Sequence, residues 1–415
     1  VLGITDADPI AHDLLFERFL NPERRQMPDI DVDFDSRRRD EVIDYIYDRF
    51  GHEHVAMVAT VNTMTARSAV RTAAKALGHT ADEINAFSRY LPWVSARRLP
   101  EVLVTYPECR DHPLLAPEHG LLVELATELD HTPMHLGTHL GGFIITREPI
   151  DTWMPLQWAA KGVVVSQYDK DDIEALGLVK MDILGLRTHS AISDTVRMAR
   201  ERVGENAVPE PFDLPHDDPR VYATIAAADT VGMFQLESSG QRNLALRLKE
   251  RDFEDIIAAI SLFRPGPLEA EMIAPFIRRR HGLEPVTVPH PAMGEVLRGS
   301  YGVIVYQEQV LQVAKAVAGF TLAEADSLRR AMTKGRSREA MEAIRVHFVE
   351  RACGLGTERE VAEEVFRQLE GFAAYGFCKA HAACFAVVSY ATAWLKVYYP
   401  AEFAAAILNN EPMGF

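Results

Sequence analysis

Four aspartates alternate with three apolar residues in the segment 29–35, which reads Asp-Ile-Asp-Val-Asp-Phe-Asp. Side chains on a β-strand point alternately to its two faces, so the pattern predicts a strand with one apolar and one acidic face. Neighbouring carboxylates on the acidic face lie about 6–7 Å apart and repel each other unless a cation lies between them. Strands are also depleted in Asp. A hard divalent cation offsets this cost, and Mg²⁺ is typically bound by one or two carboxylates together with substrate phosphates.

A second carboxylate, Asp182, lies in the apolar segment 178–184, which also has the character of a strand. A lone Asp inside such a segment is costly unless it is paired or bound to a metal. Two alternatives to a metal site remain open. The segment 29–35 could be an edge strand whose solvated acidic face blocks edge-to-edge pairing. Lys180 lies on the same face of its strand as Asp182, so the two could form a buried salt bridge.

His135 and His139 have the i, i+4 spacing of a zinc-binding pair on a helix. Glycines at 137, 141 and 142 disfavour a helix there, and no third ligand is near in the sequence. We interpret both histidines as structural. The four cysteines form no C-x-x-C pair, which indicates neither a zinc ribbon nor a disulfide framework and fits a reducing cytoplasm.

The composition, with 47% apolar and 25% charged residues, is that of a soluble globular protein, and 415 residues predict two or three domains. The N-terminus lacks an initiator Met and the features of a signal peptide, so we expect the chain to be part of a longer protein. The net charge of −16 argues at first against nucleic acid binding. Basic clusters at 37–39, 278–281 and 329–336 nevertheless permit a locally basic groove, although most such clusters are solvated helix faces.

The periodicity of apolar residues predicts a mixed α/β region followed by a long α-helical region. We expect a helix over 8–20, strands over 30–34, 141–145, 163–165 and 178–183, and a helical insertion from 64 to about 120. A Pro- and Asp-rich stretch at 206–219 predicts a loop or domain boundary, and the remainder is almost wholly helical.

Seven segments together carry a family resemblance. They are 15–24 (LFERFLNPER), 28–34 (PDIDVDF), 177–186 (GLVKMDILGL), 263–267 (FRPGP), 301–310 (YGVIVYQEQV), 328–332 (LRRAM) and 375–381 (YGFCKAH). The set resembles the alpha subunit of bacterial DNA polymerase III, a C-family DNA polymerase, essentially end to end and in family order. Its error-prone translesion paralogue shares most of these motifs. The ending 408–415 favours that paralogue, and 185–188 favours the replicative form.

The resemblance implies a palm of nucleotidyltransferase type with a mixed sheet, a helical thumb inserted into it and large, mainly α-helical fingers. The ranges are 1–62 and 136–190 for the palm, 63–135 for the thumb and 191–415 for the fingers. It also implies that Asp31, Asp33 and Asp182 are catalytic and bind two Mg²⁺ ions, while Asp29 and Asp35 support them.

Template-directed transfer of dNMP to a primer 3′-hydroxyl, with release of pyrophosphate, is the implied reaction. Lys180 is the first candidate to contact phosphate or the primer end. Candidates for the triphosphate in the fingers are Arg264, Arg329, Arg330, Lys334, Lys379 and His381. Tyr306 and Tyr375 could stack on a base or sugar, with burial of the rings as the alternative. The arginines could instead form an exposed helix face, and His381 could belong to a helix N-terminus.

The implied partners are primer–template DNA and dNTPs, with a sliding clamp and other replisome subunits bound through regions outside this chain; no membrane is involved. Family members also carry a Gly-Ser-rich phosphate-binding loop just before the segment that matches 1–9, a phosphoesterase-like domain, a clamp-binding region and an OB domain. We therefore expect a partial core that could be inactive alone. The alternatives are a non-templated nucleotidyltransferase and an inactive fragment that only binds DNA.

Overall fold

The computed structural model describes residues 5, 7–15, 30–159, 162–263, 267–333, 338–373 and 376–412. Within these residues the strands are β1 (Ile30–Asp35), β2 (Val55–Thr63), β3 (Pro133–Ile145), β4 (Leu156–Trp158), β5 (Val164–Ser166) and β6 (Lys180–Leu186). The helices up to β6 are α1 (Arg39–Phe50), α2 (Ala66–Ala76), α3 (Ala81–Ser88), α4 (Leu99–Thr105), α5 (Gly120–Glu128) and α6 (Lys170–Ala175).

Helices dominate the chain after β6. They are α7 (Arg187–Val203), α8 (Pro219–Ala226), α9 (Ser239–Leu248), α10 (Phe253–Leu262), α11 (Pro267–Arg280), α12 (Pro291–Val296), α13 (Gln307–Ala318), α14 (Leu322–Thr333), α15 (Arg338–Gly354), α16 (Arg359–Ala373), α17 (Lys379–Tyr398) and α18 (Pro400–Asn410). The predicted order, an α/β region followed by an α-helical region, is confirmed.

The chain divides into two compact units, and β1 and β6 each contribute residues to both. The first unit comprises Asp29–Val32 and Arg39–Leu184, and the second comprises Val1–Pro28, Asp33–Arg38 and Gly185–Phe415.

The strands form one mixed sheet in the order β1-β6-β3-β2-β5-β4. β2 pairs antiparallel with β3 and parallel with β5. The sequence predicts four of these strands but not β4 or β2, and in β2 residues 55–59 are all buried. A strand covered on both faces shows a continuous apolar run instead of alternation, and such a run does not distinguish a strand from a buried helix.

The predicted helical insertion after residue 64 is confirmed as α2–α5, with short 3₁₀ turns between the helices. α2 begins with a capping box in which Thr65 and Ser68 bond each other's backbone N–H, and Thr80 and Glu83 do the same for α3. The buried faces of these helices enclose an apolar core with Leu99 and Leu122 at its centre.

Helices α8, α10 and α17, with residues of α9 and α11, form an apolar core of the second unit that contains the fully buried Tyr390. By length and composition α17 could cross a membrane, but 67% of its most apolar stretch is buried among other helices. A core helix of a globular protein meets the same criterion.

The predicted helix over 8–20 is wrong where the structure describes it, because residues 7–15 form turns. The Asp8 carboxylate accepts a hydrogen bond from the backbone N–H of Ile10 at 2.8 Å, and Asp13 has a left-handed φ of 48°. Asp side chains that bond nearby backbone groups compete with helix in this way. Residues 16–20 lie outside the described part of the chain.

Glu250, which follows α9, is a buried carboxyl with one oxygen that lacks a hydrogen-bond partner in the described structure. Burial raises the pKa of Glu250 from 4.5 to about 7. The folded protein therefore retains this proton over a pH range in which the unfolded chain has lost it. Protonation of Glu250 therefore stabilises the folded state relative to the unfolded chain. This contribution to the free energy of unfolding is fully present below pH 4.5 and is lost as the pH rises through 7.

We expect Glu250→Gln to remove this pH dependence, since the amide cannot ionise. The free energy of unfolding of the variant should exceed that of the wild type at pH 8 by up to about 3 kcal/mol, with little difference at pH 4.5. Denaturant unfolding at both pH values measures this, with the exposed Glu370→Gln as control. An equal difference at both pH values would contradict the assignment.

Candidate active site

The predicted alternation is present over 31–34 of β1, which lies at one end of the sheet order beside β6, but Ile30, predicted to be buried, is exposed. Asp31 and Asp33 are exposed, whereas Val32 and Phe34 are half-buried. The position agrees with the edge-strand alternative, and the two exposed carboxylates adjoin the strand that carries Asp182. Asp29 lies outside the described residues.

Asp35, the last residue of β1, is bound within the second unit. It accepts hydrogen bonds from the Ser190 hydroxyl at 2.5 Å and from the backbone N–H of Arg37 at 2.9 Å. Burial acts to raise the pKa of Asp35, but these bonds outweigh it and hold the pKa below its ordinary value. Asp35 therefore fixes the end of β1 to α7.

Asp182 lies on β6 and is 8% exposed. Its Oδ2 accepts a hydrogen bond from Lys180 Nζ at 2.6 Å, so the salt bridge considered as an alternative is present. The other oxygen, Oδ1, is buried and has no hydrogen-bond partner in the described structure. The carboxylate is thus neutralised on one side only.

A large bulge in β3 places His139 beside Asp182. Met57 pairs with Phe143 and Ala59 with Thr138, so that residues 139–142 stand opposite Val58 alone. Bulges of this kind redirect side chains and are frequent beside active sites. The His139 Nδ1 atom lies 3.4 Å from Asp182 Oδ1.

Arg39, at the start of α1, fixes the bulge in place. Its guanidinium donates to the carbonyl oxygens of Leu140 and Ile183, each at 2.7 Å. This arginine of the 37–39 cluster thus joins β3 to β6. Arg37, in the second unit, donates to the carbonyl oxygen of Ser190 and pairs with Asp194.

The prediction that His135 and His139 are not a helical pair is confirmed, since both lie on β3. His135 Nε2 lies 3.3 Å from the Asn62 amide. In the described chain, no group of three or more His, Cys, Asp or Glu side chains is arranged to hold a metal ion.

The residues nevertheless fit Mg²⁺. This ion keeps several waters and takes only one or two protein carboxylates with substrate phosphates, so a closed cage of three protein ligands is not required. A buried carboxylate oxygen without a partner, as at Asp182, is a free-energy cost that a cation removes.

Arg329 and Arg330 on α14 form no exposed helix face. Both bind the buried carboxylate of Asp326 at 2.8 Å, one at each oxygen. Their side chains are 13% and 33% exposed.

Lys379 and His381 lie in the first turn of α17, so the helix N-terminus considered for His381 is confirmed. The buried Glu308 carboxylate accepts a hydrogen bond from the Lys379 backbone N–H at 3.0 Å, in the place where a helix N-terminus would bind an anion. Lys379 Nζ donates to the His12 carbonyl oxygen at 2.7 Å.

Tyr306 is 7% exposed and packs in the core of the second unit, with Lys379 Nζ 5.7 Å from its ring centre. Burial raises the pKa of its hydroxyl group. The ring of Tyr306 is thus buried, which was the alternative to stacking. Arg264, Lys334 and Tyr375 lie outside the described residues.

Three residues that position the candidate side chains were not predicted from the sequence. Asp326 binds the two arginines, Glu308 binds the start of α17, and His139 lies beside Asp182. The i, i+3 and i, i+4 spacing from Asp326 to Arg329 and Arg330 was a usable signal. Contacts of the other two depend on the bulge and on tertiary packing.

Lys180→Met would leave the Asp182 carboxylate buried without its cation. We expect a loss of about 3 kcal/mol in the free energy of unfolding without divalent ions, and recovery of most of it in Lys180→Met/Asp182→Asn. Urea unfolding measures both, with the exposed Lys170→Met as control. An effect of Lys180→Met no larger than that of the control would refute the pairing.

Comparison with known proteins accounts for most of the chain. The model of the bacterial DNA polymerase III alpha NTPase domain matches residues 1–185, and that of the bacterial DNA polymerase III alpha subunit finger domain matches residues 188–356.

Curated relatives give the same result. Error-prone DNA polymerases from Symbiobacterium thermophilum, Anaeromyxobacter dehalogenans and Methylococcus capsulatus match this chain over its whole length. Their sequences are 47%, 43% and 42% identical to it, respectively. The chain spans 38%, 37% and 39% of these relatives, respectively. The chain therefore belongs to the family of bacterial DNA polymerase III alpha subunits.

Proposed function

We propose that this chain is the catalytic core of a template-directed DNA polymerase, which adds dNMP to a primer 3′-hydroxyl and releases pyrophosphate. The observation that carries the proposal is the partly neutralised Asp182 on β6, next to the strand that exposes Asp31 and Asp33. The family of the chain supports the same reaction. Because the relatives are named error-prone polymerases, we propose that paralogue rather than the replicative form.

Asp31, Asp33 and Asp182 would hold two Mg²⁺ ions. When bound, such ions lower the pKa of an attacking hydroxyl and stabilise charge on phosphoryl oxygens. Asp31 and Asp33, on one face of β1, would contribute to both ions. Asp182 would contribute Oδ1, because Lys180 already neutralises Oδ2.

Lys180 has a second role in this proposal. Its Nζ atom lies at Asp182, so a phosphate or primer terminus bound there would also meet a cation. Positive charge placed where the transition state accumulates negative charge lowers the barrier.

We further propose that residues 1–62 and 136–190 are a palm, 63–135 a thumb and 191–415 the fingers. The α2–α5 insertion has a core of its own, which fits a thumb. The fingers boundary is close to the end of β6 and to the start of the match to the finger domain at residue 188.

In the fingers, Arg329, Arg330, Lys379 and His381 remain our candidates for the triphosphate, with Arg264 and Lys334. Both guanidinium groups are held at one buried carboxylate, that of Asp326. Lys379 would have to exchange its present partners to bind an anion. Tyr306 would act by packing rather than by stacking.

The proposed partners are primer–template DNA and dNTPs, and, through other regions, a sliding clamp and replisome subunits. We propose a cytoplasmic protein, as its similarity to bacterial DNA polymerases suggests.

Asp31→Asn, Asp33→Asn and Asp182→Asn should each reduce primer extension by at least about 1,000-fold, since a neutral amide is a poor ligand for Mg²⁺. Primer–template affinity should change little. Gel-based extension and fluorescence anisotropy on the full-length protein measure the two quantities.

The exposed Asp48→Asn on α1 is the matched control and should extend normally. Near wild-type extension by the Asp182→Asn variant would refute the role of this residue. Nucleotide addition that ignores the template would instead favour the non-templated nucleotidyltransferase.

A further inference from the structure

We propose that His139 is a positioning residue that keeps Asp182 Oδ1 available for a divalent cation. The inference rests on the proposed function and adds a residue to its site.

His139 Nδ1 accepts hydrogen bonds from the backbone N–H groups of Gly142 at 2.9 Å and Gly141 at 3.3 Å. A nitrogen that accepts carries the lone pair, so the ring proton is on Nε2. The bulge in β3 creates this arrangement, because it turns the two N–H groups toward a ring on the same strand.

The contact between Nδ1 and Asp182 Oδ1 at 3.4 Å is therefore a contact between two acceptors. A proton on Nδ1 would allow a salt bridge to the carboxylate, but it would also point an N–H at two other N–H groups. The shorter distance to Gly142 favours the acceptor form. Oδ1 consequently receives no hydrogen bond from the histidine, in agreement with its lack of a partner in the described structure.

A cation is the species that satisfies this oxygen. A hydrogen-bond donor at position 139 would occupy the lone pairs of Oδ1, whereas an acceptor leaves them available. His139 thus favours cation binding in two ways. It donates nothing to Oδ1, and its Nδ1 accepts the N–H groups of Gly141 and Gly142, which would otherwise be left to donate to Oδ1.

Gly142 fits the same interpretation. It pairs with Asp182 across the sheet, and a Cβ atom there would lie 2.9 Å from His139 Nδ1 and 3.1 Å from Asp182 Oδ1. A side chain at 142 would therefore enter the space between the imidazole and the carboxylate.

Two substitutions of His139 separate positioning from mere packing. Asn can present its Oδ1 near the place of the imidazole Nδ1 and accept from the same N–H groups, whereas Leu has comparable volume but no acceptor. Groups that orient a metal ligand change metal affinity by about 10–100-fold. We expect His139→Leu to weaken Mn²⁺ binding by about tenfold and His139→Asn by less than about threefold.

The experiment is an electron paramagnetic resonance titration of the full-length protein with Mn²⁺, together with primer extension. His135→Leu, on the same strand, is the matched control and should leave Mn²⁺ affinity unchanged. Gly142→Ala should weaken Mn²⁺ binding as His139→Leu does, and it provides the test if His139→Leu does not fold. Unchanged Mn²⁺ affinity in His139→Leu, or equal losses in the Asn and Leu variants, would overturn the inference.

Primer extension by the Asp182→Asn variant distinguishes a failure of the inference about His139 from a failure of the proposed function. If it abolishes extension while His139→Leu binds Mn²⁺ normally, only the inference about His139 fails. If Asp182→Asn extends primers normally, the proposed function of the site fails first.

Discussion

A buried carboxylate with only one of its two oxygens neutralised is the constraint on which the rest of the site depends. Lys180 binds Oδ2 of Asp182, and Oδ1 faces the lone pair of His139. Such an arrangement costs stability, so a protein keeps it only where the surroundings enforce it. Here the β3 bulge and the bonds of Arg39 provide that enforcement.

The same physical rule governs the helical unit, where buried carboxylates hold the cations in place. Asp326 binds Arg329 and Arg330, Glu308 caps α17, and Asp255 pairs with Arg280. These contacts show how buried carboxylates position basic side chains and a helix N-terminus in an acidic protein. They also imply that an incoming anion at Lys379 competes with contacts already made within the protein.

The sequence was sufficient for most of β1, where Asp31 and Asp33 are exposed and Val32 and Phe34 are half-buried, although Ile30 is exposed as well. It was insufficient for β2, which is buried on both faces, and for residues 7–15, where Asp8 forms a turn. The pairing of Lys180 with Asp182 was considered from their spacing alone. The position of His139 beside Asp182 could not be predicted in this way. It depends on a bulge in β3 whose register is set by pairing with β2, a strand distant in the sequence.

Iron-mediated cleavage tests the central claim most directly. Fe²⁺ that replaces Mg²⁺ generates hydroxyl radicals under ascorbate and peroxide, and these cut the backbone close to the bound ion. If the carboxylates of β1 and β6 share the ions, the backbone should be cut both near residues 31–33 and near residue 182. Excess Mg²⁺ should suppress both cuts. Cuts at only one of these strands, or cuts that Mg²⁺ does not suppress, would contradict a shared metal site.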